Sequence, residues 1–149
     1  MLDALLTQIR EETPVLLKIA PDLSFEQIDV VVELALKHGI AGIVATNTTI
    51  DHPTPSQGGL SGAPLRAHST KCVRHIWRQT QGRLPVVGVG GIFTADDAYE
   101  KIRAGANLIE VWTGLVYEGP AIVRNINSGL LQLLERDGFS HIAEAVGTE

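Results

Sequence analysis

Lys18 sits in the run LKIAPDL, where every neighbour on the strand side is apolar. A lysine there costs several kcal/mol to bury unless an anion meets its ammonium, so the residue either binds something negative or snorkels past a sheet edge. ATNTT follows a second apolar run and places Thr46, Asn47, Thr48 and Thr49 together. Asparagine offers both a donor and an acceptor, which suits an amide-like ring, although the same residues also start turns. GGLSG, residues 58–62, brings glycines that admit close backbone approach or simply permit a turn.

VGVGGI ends with Gly90 and Gly91 just before a capped helix start, an arrangement that turns backbone N–H groups toward an anion. It lacks the third glycine and the acidic residue of a dinucleotide fingerprint. EVWTG supplies Trp112, Thr113 and Gly114. The last two clusters match the phosphate site built after strands seven and eight of a (β/α)8 barrel. Other reactive types are poorly placed. Cys72 has no activating histidine and reads as a packing residue, the five histidines lack metal-ligand spacing, and Trp77 falls at core spacing on a helix.

The elements that position these clusters alternate between strand and helix. Leu2, Leu5, Leu6 and Ile9 give a first helix with no cap, which suggests a truncated start. Residues 15–20 read as a strand buried on both faces, ended by Pro21. Ser24 and Gln27 form a capping box for a helix with Ile28, Val31, Val32 and Ala35 inward and Gly39 as its stop. A strand over 42–46 leads to a long loop over 47–64, of the length used by lids and binding loops. Val73, Ile76, Trp77 and Thr80 mark the next helix, and 86–89 the next strand. Thr94 and Asp97 cap a helix that ends at Gly105, and 108–112 form the last strand. Pro120 opens a helix to about Arg136, stopped by Gly138, before a tail expected to hold one short helix and a frayed end.

Four strands each followed by a helix imply parallel pairing with right-handed crossovers. Length alone favours a doubly wound, flavodoxin-like sheet, because a complete barrel needs roughly 250 residues. The motifs favour a barrel. With 149 residues and a net charge of -5, the chain has no basic stripe for a nucleic-acid backbone. One cysteine excludes an internal disulfide framework and fits a reducing compartment. No apolar run approaches the roughly 20 residues of a membrane span, and residues 1–12 lack the basic start and cleavage site of a signal peptide.

Taken in order, Lys18 in LKIAPDL, Asn47 in ATNTT, GGLSG, VGVGGI and WTG resemble the C-terminal half of the class 2, quinone-dependent dihydroorotate dehydrogenases. KIAPDL and GGLSGAPL, followed by Ser69 and Thr70, look more like class 2 than class 1. The resemblance covers most of the chain and implies that residues 1–149 form strands five to eight of an FMN-binding (β/α)8 barrel. It implies that Lys18 contacts the flavin ring, that Thr46, Gly62, Gly91, Trp112 and Thr113 line the FMN site, and that Asn47 and Thr48 hold the pyrimidine.

The reaction so implied is oxidation of dihydroorotate to orotate in pyrimidine biosynthesis, with quinone reoxidising the flavin. Trp112 departs from the family's usual tyrosine. The serine base and the quinone tunnel belong to the other half of the barrel, so no catalytic base is assigned in this chain, and Ser61 belongs to the glycine loop. Location at the cytoplasmic side of the cell membrane or at the mitochondrial inner membrane follows from the resemblance alone. A different class remains open: a non-catalytic half-barrel that keeps only a flavin or phosphate pocket. Either way, two unpaired sheet edges predict self-association or pairing with a complementary half.

Overall fold

The computed structural model of the chain describes residues 13–55 and 57–149, so the first expected helix lies outside the described residues. Four strands, β1 (Leu16–Ile19), β2 (Gly42–Ala45), β3 (Val86–Val89) and β4 (Leu108–Glu110), pair in parallel in the order β1-β2-β3-β4. Sequential parallel neighbours require a crossover after every strand, and helices supply each one.

Helix α1 (Phe25–Lys37) begins as its sequence dictates: Ser24 accepts from the Gln27 N–H while the Gln27 side chain accepts from the Ser24 N–H. Its buried stripe is Ile28, Val32 and Ala35. Helix α2 (Arg66–Thr80) continues directly from a 3-10 turn at Ala63–Leu65, well before its apolar stripe at Cys72, Val73 and Ile76. Helix α3 (Ala95–Arg103) carries the second expected box, Thr94 with Asp97. A short helix α4 (Thr113–Glu118) was not anticipated, and α5 (Ala121–Asp137) ends at Gly138 in the left-handed region. Helix α6 (Ile142–Ala145) closes the chain.

Strand residues alternate between two faces. Ile19, Ile43, Ala45 and Val86 pack against the stripes of α1 and α2, and Ile109 joins the clusters made by α3, α5 and α6. Each isoleucine or valine among them contributes about 1.5–3 kcal/mol on burial. The opposite face carries Val44, Val87 and Val89 as a separate cluster without any helix residue. Among the described residues the helices therefore cover one side of the sheet. A doubly wound sheet has helices on both sides, so the chain is an α/β half-barrel of four βα units, its inner face left open among the described residues.

That openness corrects one expectation. β1 is an edge strand, not one buried on both faces: Leu16 is 50% exposed and Lys18 is half-exposed. A second correction concerns the tail. The N–H groups of Gly147 and Glu149 donate to Ile102 and Arg103 carbonyls, and Arg74 pairs with Glu149, so the end is anchored on α3 and α2 rather than frayed. Trp77 takes part in this anchoring, since a Cβ on Gly82, Gly105 or Gly147 would strike its indole. Cys72 is fully buried, and burial pushes its thiol up to about 11, in keeping with a packing role.

Candidate functional site at the strand ends

The four strands deliver their C-terminal ends to one cleft of about 280 Å3. All eight residues singled out in the sequence line it: Lys18 from β1, Thr46, Asn47 and Thr48 after β2, Gly62 from the long loop, Gly91 after β3, and Trp112 with Thr113 after β4. Glu110, Ser61 and Leu65 line it too.

Lys18 points into the concave face, and its Nζ lies 3.6 Å from Glu110 Oε2. The anion that meets it is the chain's own carboxylate. With both side chains about half-exposed, the pair contributes at most about 1 kcal/mol. Lys18 is thus less buried than its apolar neighbours in sequence suggested, because among the described residues no second layer covers the inner face.

After β2 the ladder runs on, with Thr46 N–H donating to the Val89 carbonyl and Asn47 N–H to that of Ile19. Thr46 is buried, and its hydroxyl donates to the Asn47 carbonyl at 2.9 Å. Asn47 Oδ1 accepts from the Thr48 N–H at 3.0 Å, so its acceptor shapes the turn, and the residue lines the cleft. Asp22 then holds the next turn: it accepts from the Thr49 hydroxyl and from Ile50 N–H. The Thr49 hydrogen bond, together with backbone N–H groups and against slight burial, keeps the Asp22 carboxyl below its ordinary range.

The long loop doubles back, and Thr49 and Leu60 exchange backbone hydrogen bonds in an isolated antiparallel bridge. Gly59 lies flush on Thr48, where a Cβ would stand 1.9 Å from its Oγ1. Across the cleft, the Ser61 and Thr113 hydroxyls meet at 2.9 Å. Gly91, at φ +74°, packs its Cα on the Arg66 backbone. Trp112 has left the strand expected to reach it. It precedes the first turn of α4, and its side chain is 77% exposed.

The donor set fits a phosphate-bearing flavin. The lining brings together glycine backbone at 62, 90 and 91, the hydroxyl residues Thr46, Thr48, Ser61 and Thr113, the Asn47 amide, the Lys18 ammonium and the apolar Val89 and Ile92. Among the described residues no group of three or more His, Cys, Asp or Glu could hold a metal ion.

A profile of the dihydroorotate dehydrogenase family matches residues 2–134. The chain belongs to the dihydroorotate dehydrogenase family. It is 48% identical to the dihydroorotate dehydrogenase (quinone) of Nostoc punctiforme and 52% identical to that of Gloeobacter violaceus, covering 100% and 93% of this chain. It spans 44% and 40% of those relatives, about two fifths of their length. Among solved structures, the Eimeria tenella dihydroorotate dehydrogenase in complex with ferulenol superposes with a TM-score of 0.86 at 40% identity, over 95% of this chain and 39% of that one.

Sequence reasoning about this dihydroorotate dehydrogenase segment passed over Glu110 as a site residue, and also Asp22 as the support of the turn after Thr48. Glu110 had a usable signal, since it alternates with the apolar Ile109 and so shares the inner face with Lys18.

Proposed function

We propose that residues 1–149 form the C-terminal half of a quinone-linked dihydroorotate dehydrogenase barrel, providing most of its FMN contacts and part of its pyrimidine pocket. The observation that carries this reading is the convergence of Lys18, Asn47, Thr48 and the glycine segments on one cleft from the ends of four strands. Bound FMN supplies the hydride acceptor for oxidation of dihydroorotate to orotate. Lys18 holds a positive charge where negative charge develops on reduction. Asn47 and Thr48 orient the pyrimidine through amide and hydroxyl hydrogen bonds. Thr46, Gly62, Gly91, Trp112 and Thr113 hold the cofactor.

No general base for the substrate proton is assigned here, so the half-barrel binds and orients while the remaining half completes the reaction. The quinone acceptor rests on the relatives, which are dihydroorotate dehydrogenases (quinone); the place in pyrimidine biosynthesis and location at the cytoplasmic side of the cell membrane or at the mitochondrial inner membrane are proposed from the family resemblance alone. Among the described residues no helix is long and apolar enough to cross a membrane.

The test has two stages. Titration of the chain with FMN, followed by flavin fluorescence, is expected to show saturable quenching. Dihydroorotate-dependent reduction of a quinone is expected only when the complementary N-terminal half is supplied. Absence of flavin binding in that reconstituted barrel would overturn the reading, and binding without turnover would favour a non-catalytic flavin module.

A further inference from the structure

Lys101 is the largest fully buried side chain among the described residues, and it does not line the cleft. Its stem runs beneath β3, where Gly88 leaves room: a Cβ there would lie 3.2 Å from Lys101 Cδ. Its ammonium ends in two hydrogen bonds, to Thr70 Oγ1 at 2.9 Å and to the Arg66 carbonyl at 3.3 Å. A buried ammonium costs several kcal/mol, so an apolar residue of that length would be the cheaper filler. The partners identify what the charge is for.

Its partners lie one turn apart at the start of α2, where the Thr70 hydroxyl itself donates to the Arg66 carbonyl, and Arg66 is gripped a second time from the same face of α3. Asp97, four residues before Lys101 and therefore its neighbour on α3, accepts from the Arg66 guanidinium. The other Asp97 oxygen accepts from the N–H groups of Phe93 and Thr94, each at 3.0 Å. Arg66 is in turn the surface on which Gly91 rests, since a Cβ on Gly91 would lie 2.6 Å from Arg66 Cα and 2.8 Å from its N. One turn along α2, Ser69 donates to the Val89 carbonyl just before the glycines. The segment 89–94 is fixed at its start by Ser69, at its end by Asp97, and in the middle by an Arg66 that α3 holds through both side chain and carbonyl.

We propose that Asp97 and Lys101 are positioning residues for an anion cradle: together they lock Arg66, and Arg66 sets the backbone at Gly90 and Gly91 to receive a phosphate monoester. The identity of that monoester as the FMN phosphate rests on the function proposed above. Neither residue touches the ligand. Their effect is therefore confined to the phosphate end of the cleft, whereas loss of general stability would weaken every ligand alike.

Riboflavin, which has the same ring without the phosphate, separates these outcomes. In the barrel reconstituted from this chain and its complementary half, Lys101→Met and Asp97→Asn are each expected to weaken FMN binding at least tenfold while changing riboflavin binding less than twofold. Thr70→Val, close to isosteric, is expected to follow the same pattern in smaller measure and covers the case in which Lys101→Met fails to fold. Amide hydrogen exchange reads the cradle without any ligand: exchange at Gly90, Gly91 and Ile92 should accelerate in each variant, with the amides of β2 and β3 unchanged. Equal weakening of FMN and riboflavin, or unaltered exchange at 90–92, would overturn the clamp. If the unsubstituted barrel binds neither flavin, the function proposed above fails and the exchange result alone decides the clamp.

Discussion

Lys18 and Glu110 stand on the two outermost strands of the sheet, and yet their charged groups meet at 3.6 Å across its concave face. Three strand spacings in a flat sheet would separate β1 from β4 by about 14 Å. The pair can close because the sheet curves and the two long side chains bridge the remainder. The same curvature gathers the loops after all four strands around one cleft.

Lys18→Met, tested in the reconstituted barrel, should leave folding nearly intact and slow flavin reduction by dihydroorotate about 100-fold or more, because a preorganised positive charge is lost where negative charge develops. Stopped-flow absorbance of the flavin reads this directly. An unchanged reduction rate would remove Lys18 from the chemistry.

Asn47 lines the cleft and spends its side-chain acceptor on the Thr48 N–H. Asn47→Ala is expected to weaken orotate binding by roughly 1–3 kcal/mol with FMN affinity little altered. Asn47→Asp is more discriminating, since it keeps an acceptor for the Thr48 N–H and removes the donors. Orotate affinity retained by the aspartate variant, measured by calorimetry, would show that the residue serves the turn alone.

Two buried groups set an unusual dependence of stability on alkaline pH. Burial pushes the Lys101 ammonium down from 10.5 to about 8, opposed by the Glu100 and Asp97 carboxylates. The unfolded chain therefore holds the extra proton between those values, and stability rises with pH across that window. Burial pushes the Cys72 thiol the other way, from 9.0 to about 11, so its contribution is present below about 9 and is lost as pH climbs to 11. Each slope is about 1.4 kcal/mol per pH unit at most. Urea unfolding should show a rise between about pH 8 and 9, then a near-plateau. In Cys72→Ala the rise should continue to about pH 10.5, and in Lys101→Met it should vanish; parallel curves for all three proteins would contradict both assignments.

The open inner face predicts behaviour in solution. Leu16 and Leu108, 50% and 65% exposed, sit on edge strands whose outer backbone groups have no partner strand among the described residues. The 149-residue chain alone is expected to self-associate, and Leu108→Lys to reduce that association as read by light scattering. A soluble 16.0 kDa monomer with cooperative unfolding would show that the open face is tolerated.

Local chemistry was legible in the sequence where one short segment carried all of it. Ser24 with Gln27 and Thr94 with Asp97 each specify a helix start within four residues, and both boxes form. The glycine and asparagine clusters were legible because a residue at a strand end needs only the strand to be placed. Properties that depend on a second element were not. The depth of Lys101 is set by the absent side chain of Gly88 and by acceptors on α2, about 30 residues away in sequence. The exposure of Lys18 depends on what lies across an open face. Residues 108–112 read as one strand because Val111 and Trp112 are as apolar as Ile109, and only the start of α4 at Thr113 turns Trp112 out of the sheet.

The two tryptophans in the sequence occupy opposite environments. Trp77 is walled by three glycines, two in the turns after α2 and α3 and one in the C-terminal tail, while Trp112 stands 77% exposed at the rim of the cleft. The protein thus carries two built-in optical probes: a blue-shifted indole whose emission reports whether the tail is seated, and a red-shifted one poised to transfer its excitation to any chromophore that enters between the strand ends.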